Sequence, residues 1–284
     1  MKKITPILIA ATLLVAACRQ PQPQPEALAP LPIHTLHGHS TFELTTRDTV
    51  PFVGDTYLDV DNEFTLHWPS LDSFPTATCR ALIRMAFDDS TSTTLQEAGR
   101  RFLARTWVED DDFIQELGIT ARRPIDSVLH YPYNSAMVNA EIRQDSNLLH
   151  FSVHTENMLA YAPHGSYASQ SLIVDRTSGA IVQLHDLIDT TGIGRLLRRA
   201  LDEVPANRQN GDPTECLFDD YHQCLPAPDG FSIDSTRSSI TAFYNIYSVQ
   251  SYACGMLFVE LPVGWLADQQ VLTPYGKKVF RRGE

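Results

Sequence analysis

The chain has 284 residues, with 34 acidic side chains against 22 basic ones and a formal net charge of −12. Hydrophobic residues make up 43%, enough for a real core and too many for a disordered chain. The acidic balance argues against nucleic acid as a partner, because a basic face is the expected footprint there. No stretch reaches the ~20 apolar residues that a spanning helix needs.

Lys2 and Lys3 form a short basic segment, and Ile4 to Ala17 is a mostly apolar run too short to span a bilayer as a mature helix. This is the pattern of a cleaved export signal over residues 1–17. It ends Leu14-Val15-Ala16-Ala17-Cys18, small residues before a cysteine, which resembles a bacterial lipobox. The resemblance implies lipidation of Cys18, and several acyl chains anchor stably where one is marginal. Loss of Lys2 and Lys3 with the signal takes the formal charge from −12 to −14. Arg19 follows Cys18, with neither an Asp nor an acidic run there. The expected location is therefore the cell envelope, lipid-anchored at the outer membrane and facing the periplasm.

Gln20 to Pro25 alternates Gln with Pro, which favours extended polyproline II. Residues 18–32 thus read as a semi-rigid tether, with a folded body from about residue 33. His34, His37 and His39 have the residue type of a metal chelate, but beside the tether they read as a mobile polar segment.

β-rich segments follow at Thr41 to Thr45 and Phe64 to Trp68. Cys79 to Phe87 has helical spacing. Thr94-Leu95-Gln96-Glu97 is a capping box opening a helix that is expected to run through Glu109 to Asp112 and on to about Leu117. That acidic run reads as a solvated helix face, since it lacks the ligand spacing of an EF-hand. Val138 to Ile142 and Leu149 to Val153 alternate around a turn, as a hairpin does, and Ser171 to Val174 with Ala180 to Leu184 forms a second. Ile193, Leu196, Leu197, Ala200, Leu201 and Val204 mark an amphipathic helix that Pro205 ends. Asn207 to Gly230 is a long polar loop. Ile240 to Tyr247 and Met256 to Leu261 read as strands. This order predicts an α+β fold, a mainly antiparallel sheet packed with two or three helices.

Four cysteines remain beyond Cys18, and four allow three pairings. An even number in an exported chain is consistent with disulfides. Cys216 with Cys224 is the shortest closure, which leaves Cys79 with Cys254 to join the two ends of the body. The absence of C-x-x-C spacing argues against zinc.

Two blocks carry a family resemblance. The first is Tyr161-Ala162-Pro163-His164-Gly165, then Leu172 to Asp175 and Ser178 to Leu187. The second is Tyr244 to Tyr247, Tyr252-Ala253-Cys254-Gly255 and Val259 to Pro262. Together they resemble the DUF3298 family of extracytoplasmic domains, whose members include anti-sigma factors that act as lysozyme receptors and polysaccharide deacetylases with a separate catalytic domain. Residues 136–284 match this pattern, and residues 33–135 are similar in layout to the companion DUF4163 domain. The resemblance implies a mixed α/β binding domain, with Tyr161, His164, Gly165, Tyr247 and Tyr252 as candidate binding residues. His164 has a plainer role open to it as well, fixing the turn beside Gly165.

Lys277 and Lys278 are the only lysines left after the signal, so no P-loop or Schiff-base lysine is available in a core. G-x-S-x-G, S-x-x-K and H-E-x-x-H are missing as well. Neither a cofactor nor a metal is expected, nor any catalytic residue. The reading that results is an anchored binding domain for a lysozyme-like protein or a peptidoglycan fragment. A structural envelope lipoprotein is the alternative. A carboxylate-dependent cell-wall hydrolase, drawing on Glu141, Asp145, Glu156, Asp175 or Asp186, is the weaker third.

Overall fold

The computed structural model describes residues 28–45, 57–107, 121–125, 129, 133–145, 147–160 and 162–281. Cys18, most of the tether, Tyr161 and the acidic run at 109–112 lie outside them. Among the described residues no helix is long and apolar enough to cross a membrane.

The first half of the chain forms β1 (Ile33–Thr45), β2 (Tyr57–Pro69), α1 (Thr76–Phe87), α2 (Leu95–Leu103) and β3 (Ala121–Pro124). Then come β4 (Tyr133–Gln144), β5 (Leu148–Met158), β6 (Ser166–Asp175) and β7 (Ile181–Val182). These strands make one seven-stranded sheet in the order β3-β1-β2-β4-β5-β6-β7. The sheet runs through both halves of the chain, and β4 spans the division expected at 135/136. Helices α3 (Leu184–Leu187) and α4 (Ile193–Glu203) follow. Strands β8 (Gly230–Ile233), β9 (Ser239–Tyr244) and β10 (Leu257–Pro262) make a three-stranded sheet, and α5 (Val263–Asp268) and α6 (Pro274–Phe280) complete the body. The fold is α+β, as expected. The large sheet is mixed, because β2 and β4 run parallel while the other pairs are antiparallel.

Period-two alternation sets the two faces of the large sheet. Leu66, Trp68, Val138, Ala140, Phe151 and Val153 point one way and bury themselves under Leu82, Phe87 and Phe102 of α1 and α2. Phe64 meets the Phe87 ring edge-on at 5.2 Å, an arrangement that suits the ring quadrupoles. On the opposite face, Leu148 and Ile173 join a second core with Leu187, Leu197, Leu201, Ile240, Val259 and Leu261. The β5 and β6 half of that face is covered by the small sheet, where the Ser171 hydroxyl donates to the Phe231 carbonyl. On the same face, His39 of β1 is exposed and Glu63 of β2 and Met137 of β4 are only partly buried.

Two local expectations change. The segment from His34 to His39 belongs to β1 and pairs with β2 along its whole length. Apolar Leu36 on the covered face, alternating with polar His37 and His39, makes it a half-buried strand. Helix α2 opens as expected, with Thr94 accepting from the Glu97 amide at 3.2 Å. It ends at Leu103 rather than near Leu117, where Ser40 of β1 and Asn62 of β2 take its last carbonyl. The Asn62 amide donates to Leu103 and Arg105 at 3.3 and 2.8 Å. A tertiary cap replaces the signal that the local sequence lacks.

One ion pair joins the two sheets. Arg237 lies in the β8–β9 turn with a left-handed φ of 58° and is 7% exposed. Its guanidinium donates to both carboxylate oxygens of Asp145, to Asn147 at 2.7 Å and to the Val279 carbonyl at 3.2 Å. Burial alone would raise the Asp145 carboxyl. Hydrogen bonds from His150, Arg237 and the Leu148 amide outweigh it and hold the group well below the usual carboxylate range. Arg237→Ala leaves Asp145 partly buried without its guanidinium, held only by neutral donors such as the Leu148 amide. The expected loss is about 3 kcal/mol, at the low end for a broken buried pair because Asp145 keeps some water. Urea unfolding would show it as a lower midpoint.

His150 makes stability depend on pH. Burial pushes its pKa down, helped by the charges of Arg143 and Arg237, against the hydrogen bond to Asp145. The unfolded chain therefore takes up a proton that the folded chain refuses. Stability is full above the ordinary histidine pKa of about 6.5 and falls as pH drops below it. Asp145 adds a loss in the same direction at more acidic pH. His150→Gln should flatten the decline between about pH 7 and pH 5, measured by urea midpoints across that range.

Candidate functional site

The face of the large sheet that packs on the small one carries a cleft of about 370 Å³. Its floor and one side come from three strands: Asp61 and Glu63 of β2, Ser135 to Met137 of β4, and Glu156 to Met158 of β5. Gly165, Ser166, Tyr167 and Tyr252 form the other side. Strand register builds this surface. His39, Glu63, Met137, Glu156 and Tyr167 lie opposite one another in sequence across β1, β2, β4, β5 and β6, a single row on one face. Asp61 and Glu63 sit close to histidines, with His39 Nε2 2.7 Å from Asp61 and His37 Nδ1 3.9 Å from Glu63. Among the described residues Glu156 has no ion-pair partner.

The aromatic wall holds four of the residues singled out from sequence or beside them. His164 sits in the turn between β5 and β6, and its ring stacks on Tyr252 with centroids 3.9 Å apart. Its Nδ1 lies 2.9 Å from the Gly165 carbonyl, and its Nε2 lies 3.2 Å from the Tyr247 hydroxyl. Nδ1–H donates to the carbonyl, so Nε2 accepts from Tyr247. His164 thus both fixes the turn and presents a ring. Tyr247 and Tyr252 have centroids 5.9 Å apart, and Tyr167 meets Tyr252 edge-on at 6.0 Å. A Cβ on Gly165 would lie 3.0 Å from the Asn157 carbonyl oxygen, a tight contact that glycine avoids in this turn.

Tyr247 is 54% exposed and holds a left-handed φ of 64°, a conformation costly for a bulky side chain. Its neighbours impose it. Asn245 pairs with the Ser169 backbone in both directions at 2.7 and 3.1 Å, and Asp229 accepts from the Asn245 amide at 2.7 Å and the Ser248 hydroxyl at 2.6 Å. Tyr252 opens a 3-10 turn that ends at Cys254. A disulfide from Cys254 to Cys216 fastens that turn to the long loop.

This disulfide corrects the expected pairing. Cys216 bonds Cys254, and Cys79 and Cys224 are free. Loop length favoured Cys216 with Cys224, but tertiary contacts decide. Leu217 bridges to Gln250 and the Phe218 amide reaches the Val249 carbonyl at 3.0 Å, which brings Cys216 beside the 252–254 turn. Cys224 is drawn the other way, onto α4, where a Cβ on Gly194 would lie 1.8 Å from the Leu225 carbonyl oxygen and 2.8 Å from the Cys224 sulfur.

The other candidates separate. Asp175 accepts from Thr177, Ser178 and Tyr275, and Asp186 accepts from the Gln183 amide. Both serve turns and caps, as Asp145 serves the ion pair, while Glu156 alone of the five reaches the cleft. Among the described carboxyls every shifted pKa is lowered, at Asp89, Asp145, Asp175, Asp189, Asp212 and Asp234. A general acid needs the opposite shift. No group of three metal-ligating side chains occurs among the described residues. The residues missed from sequence are Asp61, Glu63, Tyr167 and Asn245. The first two read as the solvated positions of a strand, and only register places them together.

No family model matches the sequence, and no curated protein matches it at a significant level. Solved structures do match. A DUF3298 family protein from Pseudomonas aeruginosa PAO1 aligns with a TM-score of 0.50 at 16% identity, over 87% of this chain and 96% of its own. A member of the same family from Bacteroides fragilis NCTC 9343 aligns with a TM-score of 0.58 at 14% identity, over 89% of this chain and 97% of its own. At such identities the likeness is one of fold. The chain has the fold of DUF3298 family structures, the family its two sequence blocks resemble.

The disulfide gives a direct test. Peptide mapping without reductant should find Cys216 and Cys254 in one cross-linked species. Alkylation should label exposed Cys224 faster than Cys79, whose thiol burial pushes up, with the Asp72 charge adding to it. A Cys216–Cys224 peptide would refute the arrangement of the aromatic wall.

Proposed function

We propose that this chain is a binding domain of the bacterial envelope, lipid-anchored through Cys18 at the outer membrane, whose acidic, aromatic-walled cleft captures a basic partner protein of the lysozyme-like kind. The observation that carries the proposal is the meeting of Asp61, Glu63 and Glu156 with the rings of Tyr167, Tyr252, His164 and Tyr247 at one concave place. Carboxylates pair with ammonium and guanidinium groups, and tyrosine faces attract the same cations. Aromatic residues at a cleft are also the side chains that dominate interface energies. The net charge of −12 supports the reading, since it would steer a basic protein and speed its association. Strain held at Tyr247 fits a side chain fixed in place before its partner arrives.

Calorimetry tests this with the soluble chain carrying Cys18→Ser, titrated with a c-type lysozyme and with muropeptides at low and physiological salt. The expected result is lysozyme binding that weakens with salt. Tyr252→Ala should lower the affinity by about 2 kcal/mol or more, as truncation of a central aromatic anchor does. Glu156→Gln should lower mainly the association rate and its salt dependence. Heat from muropeptides alone would move the ligand to cell-wall glycan, and silence with both would refute the proposal.

A further inference from the structure

The cleft lies at one end of the strands and the start of the body at the other. Gln144, the last residue of β4, pairs with the Leu31 backbone in both directions, at 2.8 and 3.0 Å. Arg176 donates to the Ala29 carbonyl and to the Asp145 carbonyl. Ser135 to Met137 of β4 line the cleft, so it stands about 23–30 Å away along β4 at ~3.3 Å per residue.

Helix α6 belongs to the tether end. The Asp145 carboxylate accepts from Arg237, which reaches the Val279 carbonyl of α6 at 3.2 Å. Two guanidinium groups and one aspartate thus link Ala29 to α6. On the outer surface there, Pro274, Lys277, Lys278 and Arg281 line a shallow groove of about 510 Å³. Lys277 and Lys278 are the chain's only lysines outside residues 1–17. All three cations are exposed, and among the described residues none forms an ion pair. Among the described residues no nearby carboxylate lies within ion-pair distance of these three cations. Asp145 holds Arg237, Asp175 accepts from Tyr275 at 3.0 Å, and Asp186 accepts from the Gln183 amide at 2.8 Å. A strongly acidic protein therefore presents free positive charge next to the point where its tether leaves.

We infer that the α6 end of the body is a docking surface for the anionic headgroups of a bilayer, with Lys277, Lys278 and Arg281 as its contacts. The inference rests on the lipid-anchor reading for its biological setting. Docking would hold the body with its acidic cleft pointing away from the membrane. At physiological salt the cleft carboxylates lie several screening lengths of ~8 Å from that surface, so they would not oppose it.

Flotation with vesicles tests this, using the mature chain from residue 18 carrying Cys18→Ser, which has neither the apolar signal nor an attached lipid. Vesicles of phosphatidylglycerol in phosphatidylcholine are compared with phosphatidylcholine alone at physiological salt. The expectation is about fivefold stronger partitioning per cation, hence about 100-fold for the three. The variant K277E/K278E/R281E should lose this preference while keeping its unfolding midpoint, and Tyr252→Ala should keep it. Equal partitioning into both kinds of vesicle, or undiminished binding by the triple variant, would overturn the inference. Labelled palmitate on the unaltered chain in its host reports on Cys18 separately, so a failed anchor and a failed docking surface give different results.

Discussion

The contact between Arg237 and Asp145 is where the two sheets, the β4–β5 turn and α6 come together. Its geometry is over-determined. Asp145 receives the Leu148 amide, His150 and Arg237, while Arg237 also reaches Asn147 and Val279. A buried guanidinium adds little net stability over a well-packed apolar group, but it is costly to leave half made. Its value here lies in position, because an ion pair with so many partners permits one placement of the small sheet on the large one. That placement covers β5 and β6 but not the row of His39, Glu63 and Met137 on β1, β2 and β4, where the cleft lies.

The aromatic wall depends on the same placement. Asn245 hangs from the small sheet's last turn and pairs with Ser169 of the large sheet, which seats Tyr247 opposite His164. The disulfide adds a second constraint from the long loop, fastening the turn that carries Tyr252. Each ring is therefore held by contacts of another element, not by its own local sequence. Rings fixed in this way lose little freedom on binding, which is the main saving open to a small surface cleft.

How much of this was legible in the sequence follows from the range of each interaction. The Thr94 cap, the α4 stripe and both hairpins depend on neighbours a few residues away, and the sequence shows them. The end of α2 depends on Asn62, some forty residues earlier, and the parallel pairing of β2 with β4 bridges two helices; neither leaves a local mark. The four-residue β8 is too short to alternate visibly. The disulfide was hidden for a related reason, since loop entropy ranks pairings only when tertiary contacts leave them equal. At the site, His164, Gly165, Tyr247 and Tyr252 stood out through two sequence blocks, whereas Asp61 and Glu63 looked like the wet side of any strand.

Long strands also separate functions in space. A strand of a dozen residues places its two ends roughly 40 Å apart, and neighbouring strands align those ends into two distinct poles. At one pole the turn after β4 gathers Gln144, Asp145, Arg176 and Arg237 around the chain's first described residues. At the other, the turn after β5 carries His164 to its tyrosines. Charge follows the same axis, with the exposed cations Lys277, Lys278 and Arg281 near the first pole and Asp61, Glu63 and Glu156 at the second. On the proposed reading this polarity lets a single acidic domain meet a negatively charged membrane and a positively charged partner at once. The two surfaces are separated by more than a screening length, so neither field weakens the other.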